Sequence, residues 1–174
     1  MLALMGIVLI ATSMSAVITP GMAQASGYVE IVNRGSGKCM TIQNGSVGAG
    51  AVLIQQTCNS LPYQKWMLIG GPSGTSEIYS PYSGLCMSWT YLSPVSNGQE
   101  MDQQACGGIP YDQLTLWVLT NVTTTPVRTV MIRLNGYDAC MDLEDGWTWD
   151  GVAMQIWECN PNTNNQKWNL YPTV

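Results

Sequence analysis

Gln64-Lys65-Trp66 and Gln166-Lys167-Trp168 share the form Q-x-W, and Gln113-Leu114-Thr115-Leu116-Trp117 keeps both residues with a wider gap. The three tryptophans are evenly spaced, 51 residues apart. Upstream of each stands a cysteine pair: Cys39 and Cys58, Cys86 and Cys106, Cys140 and Cys159, separated by 19, 20 and 19 residues. A methionine follows each first cysteine, at Met40, Met87 and Met141. Self-similarity at one period means one structural unit built three times, over roughly 28–72, 76–122 and 128–172.

The segments between these marks read as short strands and turns. The first repeat gives Tyr28–Asn33, Lys38–Gln43, Ala51–Thr57 and Gln64–Ile69; the second gives Ser76–Tyr82, Leu85–Thr90, Glu100–Ala105 and Leu116–Leu119. The third gives Arg128–Leu134, Ala139–Leu143, Val152–Glu158 and Lys167–Tyr171. Gly35-Ser36-Gly37, Asn44-Gly45 and Asn59–Pro62 punctuate the first set, as glycine, asparagine and proline do at turns. Pro72 and Thr123-Thr124-Thr125-Pro126 mark the joints. Twelve strands in three groups of four predict a closed, threefold barrel, because closure removes the edges an open sheet exposes.

Residues 1–25 read as a secretory leader: an apolar run from Leu2 to Ala11, too short to span a bilayer, then the A-x-A site Ala23-Gln24-Ala25. Its n-region has no Lys or Arg. Cleavage before Ser26 leaves a secreted, extracellular chain (26–174) of about 150 residues, one domain in size, with no membrane insertion. In an exported chain the six cysteines are expected as disulfides, and a unit copied three times should close on itself: Cys39–Cys58, Cys86–Cys106 and Cys140–Cys159. Each loop contributes about 3 kcal/mol in the chain-entropy account. Without histidine or C-x-x-C, zinc has no ligand set, and neither a metal nor a cofactor is expected. A net charge of −5 with six scattered basic residues excludes a basic footprint for nucleic acid.

Three copies of Cys-Met, a second cysteine and Q-x-W resemble the ricin-type β-trefoil lectins and carbohydrate-binding modules, over residues 28–172. The resemblance implies an all-β trefoil of twelve strands in three pseudo-symmetric repeats, with Trp66, Trp117 and Trp168 structural, in the shared core. It also implies a site. In that family an acid two residues after the first cysteine reads sugar hydroxyls, an aromatic two before the second cysteine stacks, and an asparagine before the Q-x-W glutamine adds hydrogen bonds. The third repeat has all of these: Asp142, Trp157 with Gln155 on the same strand face, and Asn165, with Gln166 placed to orient Asp142. A pyranose needs both a polar acceptor and an aromatic face, so this combination suits a galactose-like or other pyranose glycan. Trp147 and Trp149 on the intervening loop would widen the platform.

The first repeat has Thr41, Gln56 and Tyr63 at these positions, and the second Ser88, Gln104 and Asp112; Trp89, Tyr91 and Tyr111 offer the second an unrelated surface. Binding is therefore expected mainly in the third repeat. Other readings remain. Asp138, Asp142, Glu144, Asp145, Asp150 and Glu158 contain possible glycosidase carboxylates or calcium ligands, although EF-hand spacing is absent. A trefoil without working sugar sites would act through protein contacts, as a protease inhibitor or toxin-like effector. Catalysis is not expected: there is no histidine base, and the paired cysteines are not free thiols. Asn44-Gly45-Ser46 and Asn121-Val122-Thr123 match the N-glycosylation pattern. The methionines beyond the leader are read as core filler in a chain without phenylalanine.

Overall fold

A computed structural model describes residues 27–89, 94–107 and 115–173. The leader, its cleavage site and Ser26 lie outside the described residues, as do Thr90, Tyr91, Tyr111, Asp112 and Gln113. Twelve strands appear in chain order: β1 Tyr28–Asn33, β2 Cys39–Ile42, β3 Leu53–Gln56, β4 Trp66–Gly70, β5 Ser76–Ser80 and β6 Leu85–Trp89. They continue with β7 Gln99–Gln104, β8 Trp117–Thr123, β9 Arg128–Leu134, β10 Ala139–Leu143, β11 Met154–Glu158 and β12 Trp168–Pro172. Every expected strand is present, three with the expected bounds and six of the twelve shorter than expected. β8 is the main extension: it runs to Thr123 and pairs with β9 up to the Thr125–Pro126 turn.

Closure is made by six of the twelve strands. β1 pairs with β4, β4 with β5, β5 with β8, β8 with β9, β9 with β12, and β12 with β1. The other six form three hairpins, β2–β3, β6–β7 and β10–β11. This is the β-trefoil.

The core repeats with the sequence. Five positions per repeat are buried: Ile31, Ile78 and Ile132; Met40, Met87 and Met141; Ile42, Trp89 and Leu143; Leu53, Met101 and Met154; Trp66, Trp117 and Trp168. The methionine after each first cysteine has a second use. Its carbonyl accepts the indole N–H of its own repeat's tryptophan, at 3.2 Å for Met40–Trp66 and 3.1 Å for both Met87–Trp117 and Met141–Trp168. A buried indole N–H without an acceptor would be costly, so this bond locks the large ring in place. Trp89, expected at a surface, is instead core: it fills with one ring the layer where the other repeats have Ile42 and Leu143.

The three disulfides are Cys39–Cys58, Cys86–Cys106 and Cys140–Cys159. Neighbouring repeats interlock through a threefold set of backbone bonds: Gly50 N–H to the Gln103 carbonyl, Gly98 to Ile156, and Gly151 to Gln55, at 2.8, 3.0 and 2.8 Å. All three glycines have positive φ (79°, 84° and 90°), a backbone that side-chain-bearing residues rarely adopt. Each hairpin therefore carries the loop of the preceding repeat against its second strand.

Candidate functional site

The third-repeat site is built on the β10–β11 hairpin. Asp142 and Gln155 are directly opposite in the register, as are Cys140 and Trp157. The cross-strand pairing brings the Gln155 amide onto the Asp142 carboxylate: Nε2 donates to Oδ1 at 3.0 Å. Asn165, arriving from the turn before β12, donates from Nδ2 to Oδ2 at 2.9 Å. Both oxygens of a carboxylate that is only 3% exposed are thus oriented by neutral amides, with lone pairs left over. Burial pushes the Asp142 carboxyl above its ordinary range; the Gln155 and Gln166 amides counter this, and the Asp145 charge adds to it.

Trp157 is 43% exposed, so it is not a core residue. All five residues expected to form the site (Asp142, Gln155, Trp157, Asn165 and Gln166) line one cavity of about 440 Å³, together with Asp145 and Glu158. Their roles divide. Gln155 and Asn165 each donate one amide hydrogen bond to Asp142, and Asn165 Nδ2 also donates to the Leu143 carbonyl at 3.5 Å, which makes them its mounts. The hydrogen bonds of Gln166 go to the turn after β11: its Oε1 accepts from the Asn160 N–H at 2.7 Å and its Nε2 donates to the Glu158 carbonyl at 3.0 Å. Gln64 repeats this clamp on Asn59 and Thr57.

A support from the second repeat was missed in the sequence. Asn97 Oδ1 accepts the Glu158 N–H at 2.7 Å, and Gly98 packs beneath Gln155 and Trp157. The signal was the Asn97-Gly98 turn pair. Trp147 and Trp149 do not line this cavity. They stack on each other at 4.6 Å, and both their carbonyls accept Gln55 Nε2 of the first repeat at 2.8 Å. Asp150 beside them is tied to Lys38 at 2.7 Å and to the Thr57 N–H at 2.9 Å. The expected widening of the platform by this pair is corrected: their loop is braced against the neighbouring repeat.

The first repeat is closed at the same positions, whereas in the second the residue at the asparagine position, Asp112, lies outside the described residues. In the first, the Thr41 hydroxyl donates to the Cys39 carbonyl and accepts from Gln64. The Tyr63 ring stands so close to Gly45 that a Cβ there would meet it at 3.0 Å. In the third repeat the matching approach, Gly146 to Asn165, is 3.7 Å. In the second, the residue two before the tryptophan is Thr115, not Gln113, and its hydroxyl donates to Glu77 Oε1 at 3.0 Å. Glu77 also accepts the Gly107 N–H at 2.9 Å, the part that Gln64 and Gln166 play elsewhere. The second repeat also holds an acid that sequence matching passed over. Asp102 lies across from Ser88, on the strand where the third repeat has Gln155. It is 6% exposed, its Oδ2 accepts from Gln104 Nε2 at 2.6 Å, and its Oδ1 has no hydrogen-bond partner among the described residues.

The family model for the ricin-type β-trefoil lectin domain matches residues 27–168. The chain belongs to that family. Among characterised proteins, Serine protease 1 of Rarobacter faecitabidus is 30% identical over 108 residues, which cover 60% of this chain and 18% of the protease. The chain thus spans about a fifth of that protein. An exo-β-1,3-galactanase structure from Clostridium thermocellum superposes with TM-score 0.75 at 25% identity, covering 85% of this chain and 30% of the galactanase. The Macrolepiota procera ricin B-like lectin, solved with lactose, superposes with TM-score 0.68 at 15% identity, over 84% and 95% of the two chains.

Proposed function

We propose that this trefoil is a secreted lectin that binds a galactose-like or other pyranose glycan reversibly, mainly through its third repeat. The observation that carries the reading is the mounted carboxylate beside an exposed ring. Asp142 is held at both oxygens, and the exposed Trp157 lines the same cavity. Rigid mounting matters because water competes for every sugar hydroxyl, and an acceptor fixed in advance loses little entropy on binding. The C–H face of the sugar stacks on Trp157 while Asp142 and the free Oδ1 of Asn165 accept from hydroxyls. No covalent step is part of this function. Single shallow sites of this kind bind weakly, and avidity comes from further sites or copies. The lactose in the Macrolepiota lectin agrees in ligand class.

A glycan array of the mature chain, followed by calorimetric titration of its best ligand, tests the proposal. Saturable binding that Trp157→Ala removes is expected; a parent that binds no glycan would leave a trefoil acting through protein contacts. Secretion has its own check. N-terminal sequencing of protein recovered from the medium should begin at Ser26, and an intact Met1 would refute processing.

A further inference from the structure

The third-repeat cavity has a neighbour. A second concavity of about 500 Å³ is not lined by Trp157, while Asp145, Thr163 and Asn165 line both. Its remaining walls come from two repeats: Asn33 and Gly35 on the turn after β1, and Gly146 and Asn164 in the third repeat. The two spaces thus share three lining residues. Each volume falls in the lower part of the usual range for ligand pockets, about 300–1,000 Å³.

The polar groups of the second concavity fall into two kinds. Asn33 is committed to the scaffold: its Oδ1 accepts the Gly35 and Ser36 N–H groups at 2.9 and 3.1 Å, and its Nδ2 donates to the Asn165 carbonyl at 2.9 Å. These bonds hold the first-repeat turn against the site strand and give the concavity a fixed wall. Asp145 and Asn164 are uncommitted, since neither side chain makes a hydrogen bond to another described residue. Asp145 is held in place by its left-handed backbone (φ 51°) in the turn Glu144–Gly146. A carboxylate acceptor thus sits between the two spaces, and an amide with both donor and acceptor lines the outer one. No aromatic residue lines it, so it suits a sugar held by its hydroxyls rather than by stacking. A Cβ at Gly35 would stand 3.2 Å from Asn33 Oδ1 and 3.5 Å from Asn164 Cβ, so a larger side chain there would occupy space between these walls.

We infer that the site is a two-unit groove, in which a terminal pyranose sits on Trp157 and Asp142 while the sugar linked to it lies in the Asn33–Gly146–Asn164 concavity, making the ligand an oligosaccharide end. This rests on the pyranose-binding reading given above. Asn164 is then the residue that discriminates linkage, because only certain glycosidic bonds direct the second ring past Asp145 and Asn165.

The test is titration of the methyl glycosides of galactose, N-acetylgalactosamine, glucose and mannose, beside 1→3, 1→4 and 1→6 disaccharides ending in each. The parent should bind one disaccharide about 3- to 10-fold tighter than the matching methyl glycoside, the gain of one or two hydrogen bonds. Asn164→Ala, at an exposed position outside the inner cavity, should erase that gain and leave the methyl glycoside unchanged. Gly35→Val, which fills the outer concavity, should do the same. A methyl glycoside bound as tightly as every disaccharide, or a gain that survives Asn164→Ala, overturns the two-unit groove and leaves the single-sugar site standing. A parent that binds neither class overturns both readings.

Discussion

The first and third repeats use the same scaffold, yet only one leaves a cavity at the site. Each places a small 3-10 turn after its first hairpin strand, Gln43–Gly45 and Glu144–Gly146, with a left-handed residue in the middle, Asn44 or Asp145. Each clamps the turn after its second cysteine with the Q-x-W glutamine. The difference lies in what stands just before that glutamine. Tyr63 lays its ring on Gly45 and packs edge-on against Tyr82, with centroids 5.7 Å apart, whereas Asn165 reaches Asp142 and leaves space. Burying an aromatic ring favours a filled, dry contact; a mounted carboxylate favours an open, wet one. The comparison teaches that the motif shared by the repeats builds the fold, and that a few residues beside it decide whether a lobe has a site.

The strongest test of that division separates two tryptophans of the third repeat. Trp168→Ala removes a fully buried ring and its bond to Met141, and should cost about 3–5 kcal/mol in denaturant unfolding with the disulfides intact. Trp157→Ala, half in solvent, should cost about 1 kcal/mol or less in stability while abolishing measurable stacking on sugar. Equal stability losses would merge the two roles.

Next comes the carboxylate. Asp142→Ala should weaken the best glycan by about ten- to a hundredfold, corresponding to roughly 1.5–3 kcal/mol for hydrogen bonds to a charged group. Thr41→Ala and Ser88→Ala, at the matching positions, should leave affinity as in the parent. A larger loss from either than from Asp142→Ala would put the site in another lobe.

A smaller effect distinguishes the second repeat. Burial raises the Asp102 carboxyl above its ordinary range, outweighing the Gln104 hydrogen bond, and Glu100 adds to the rise. The folded state therefore holds that proton more tightly than the unfolded chain. Its stabilising share is present below the unfolded value, near 3.8, and is lost as pH rises through the higher folded value. Asp102→Asn should accordingly stabilise the protein at pH 7 by about 1 kcal/mol, the scale of one unpaired buried polar group. The advantage should shrink as the pH of the melt is lowered toward the ordinary carboxyl range. An advantage that stays constant with pH would mean Asp102 is not the titrating group.

The smallest effect is on binding itself. Because the Asp142 carboxyl is also raised, sugar affinity should begin to fall on acidification at a higher pH than an ordinary aspartate would give. Titration calorimetry across mildly acidic buffers reads this directly, and a flat profile would remove Asp142 from the contact.

Much of this was legible because it is periodic. The cysteine spacings, the Cys-Met steps and the tryptophan interval name the three disulfides, the core rings and the approximate place of every strand. Asp142, Trp157 and Asn165 were legible through the resemblance to the ricin-type lectins, whose site offsets from the cysteines and the Q-x-W glutamine they match, with Gln155 added as a neighbour on the Trp157 strand; the hairpin register sets Asp142 opposite Gln155. Where the period is broken less was legible. Gln113, matched as the second repeat's glutamine, lies outside the described residues, and two before Trp117 stands the buried Thr115, whose hydroxyl donates to Glu77 on β5. Trp89 looked available because no motif claimed it, yet the core needed its volume.

By itself, then, the sequence determined the unit, its threefold copying and the residues that meet within one hairpin, since these depend on short-range spacing. Only the tertiary structure decided which lobe stays open and what lies beside it. Tyr63 over Gly45, Gln55 under the Trp147–Trp149 loop, Asn97 behind Glu158 and Asn33 against Asn165 all join residues brought together by closure of the barrel or by packing between repeats. Such contacts leave no periodic trace, because each is set by packing between surfaces distant in the chain rather than by the backbone geometry that repeats along it.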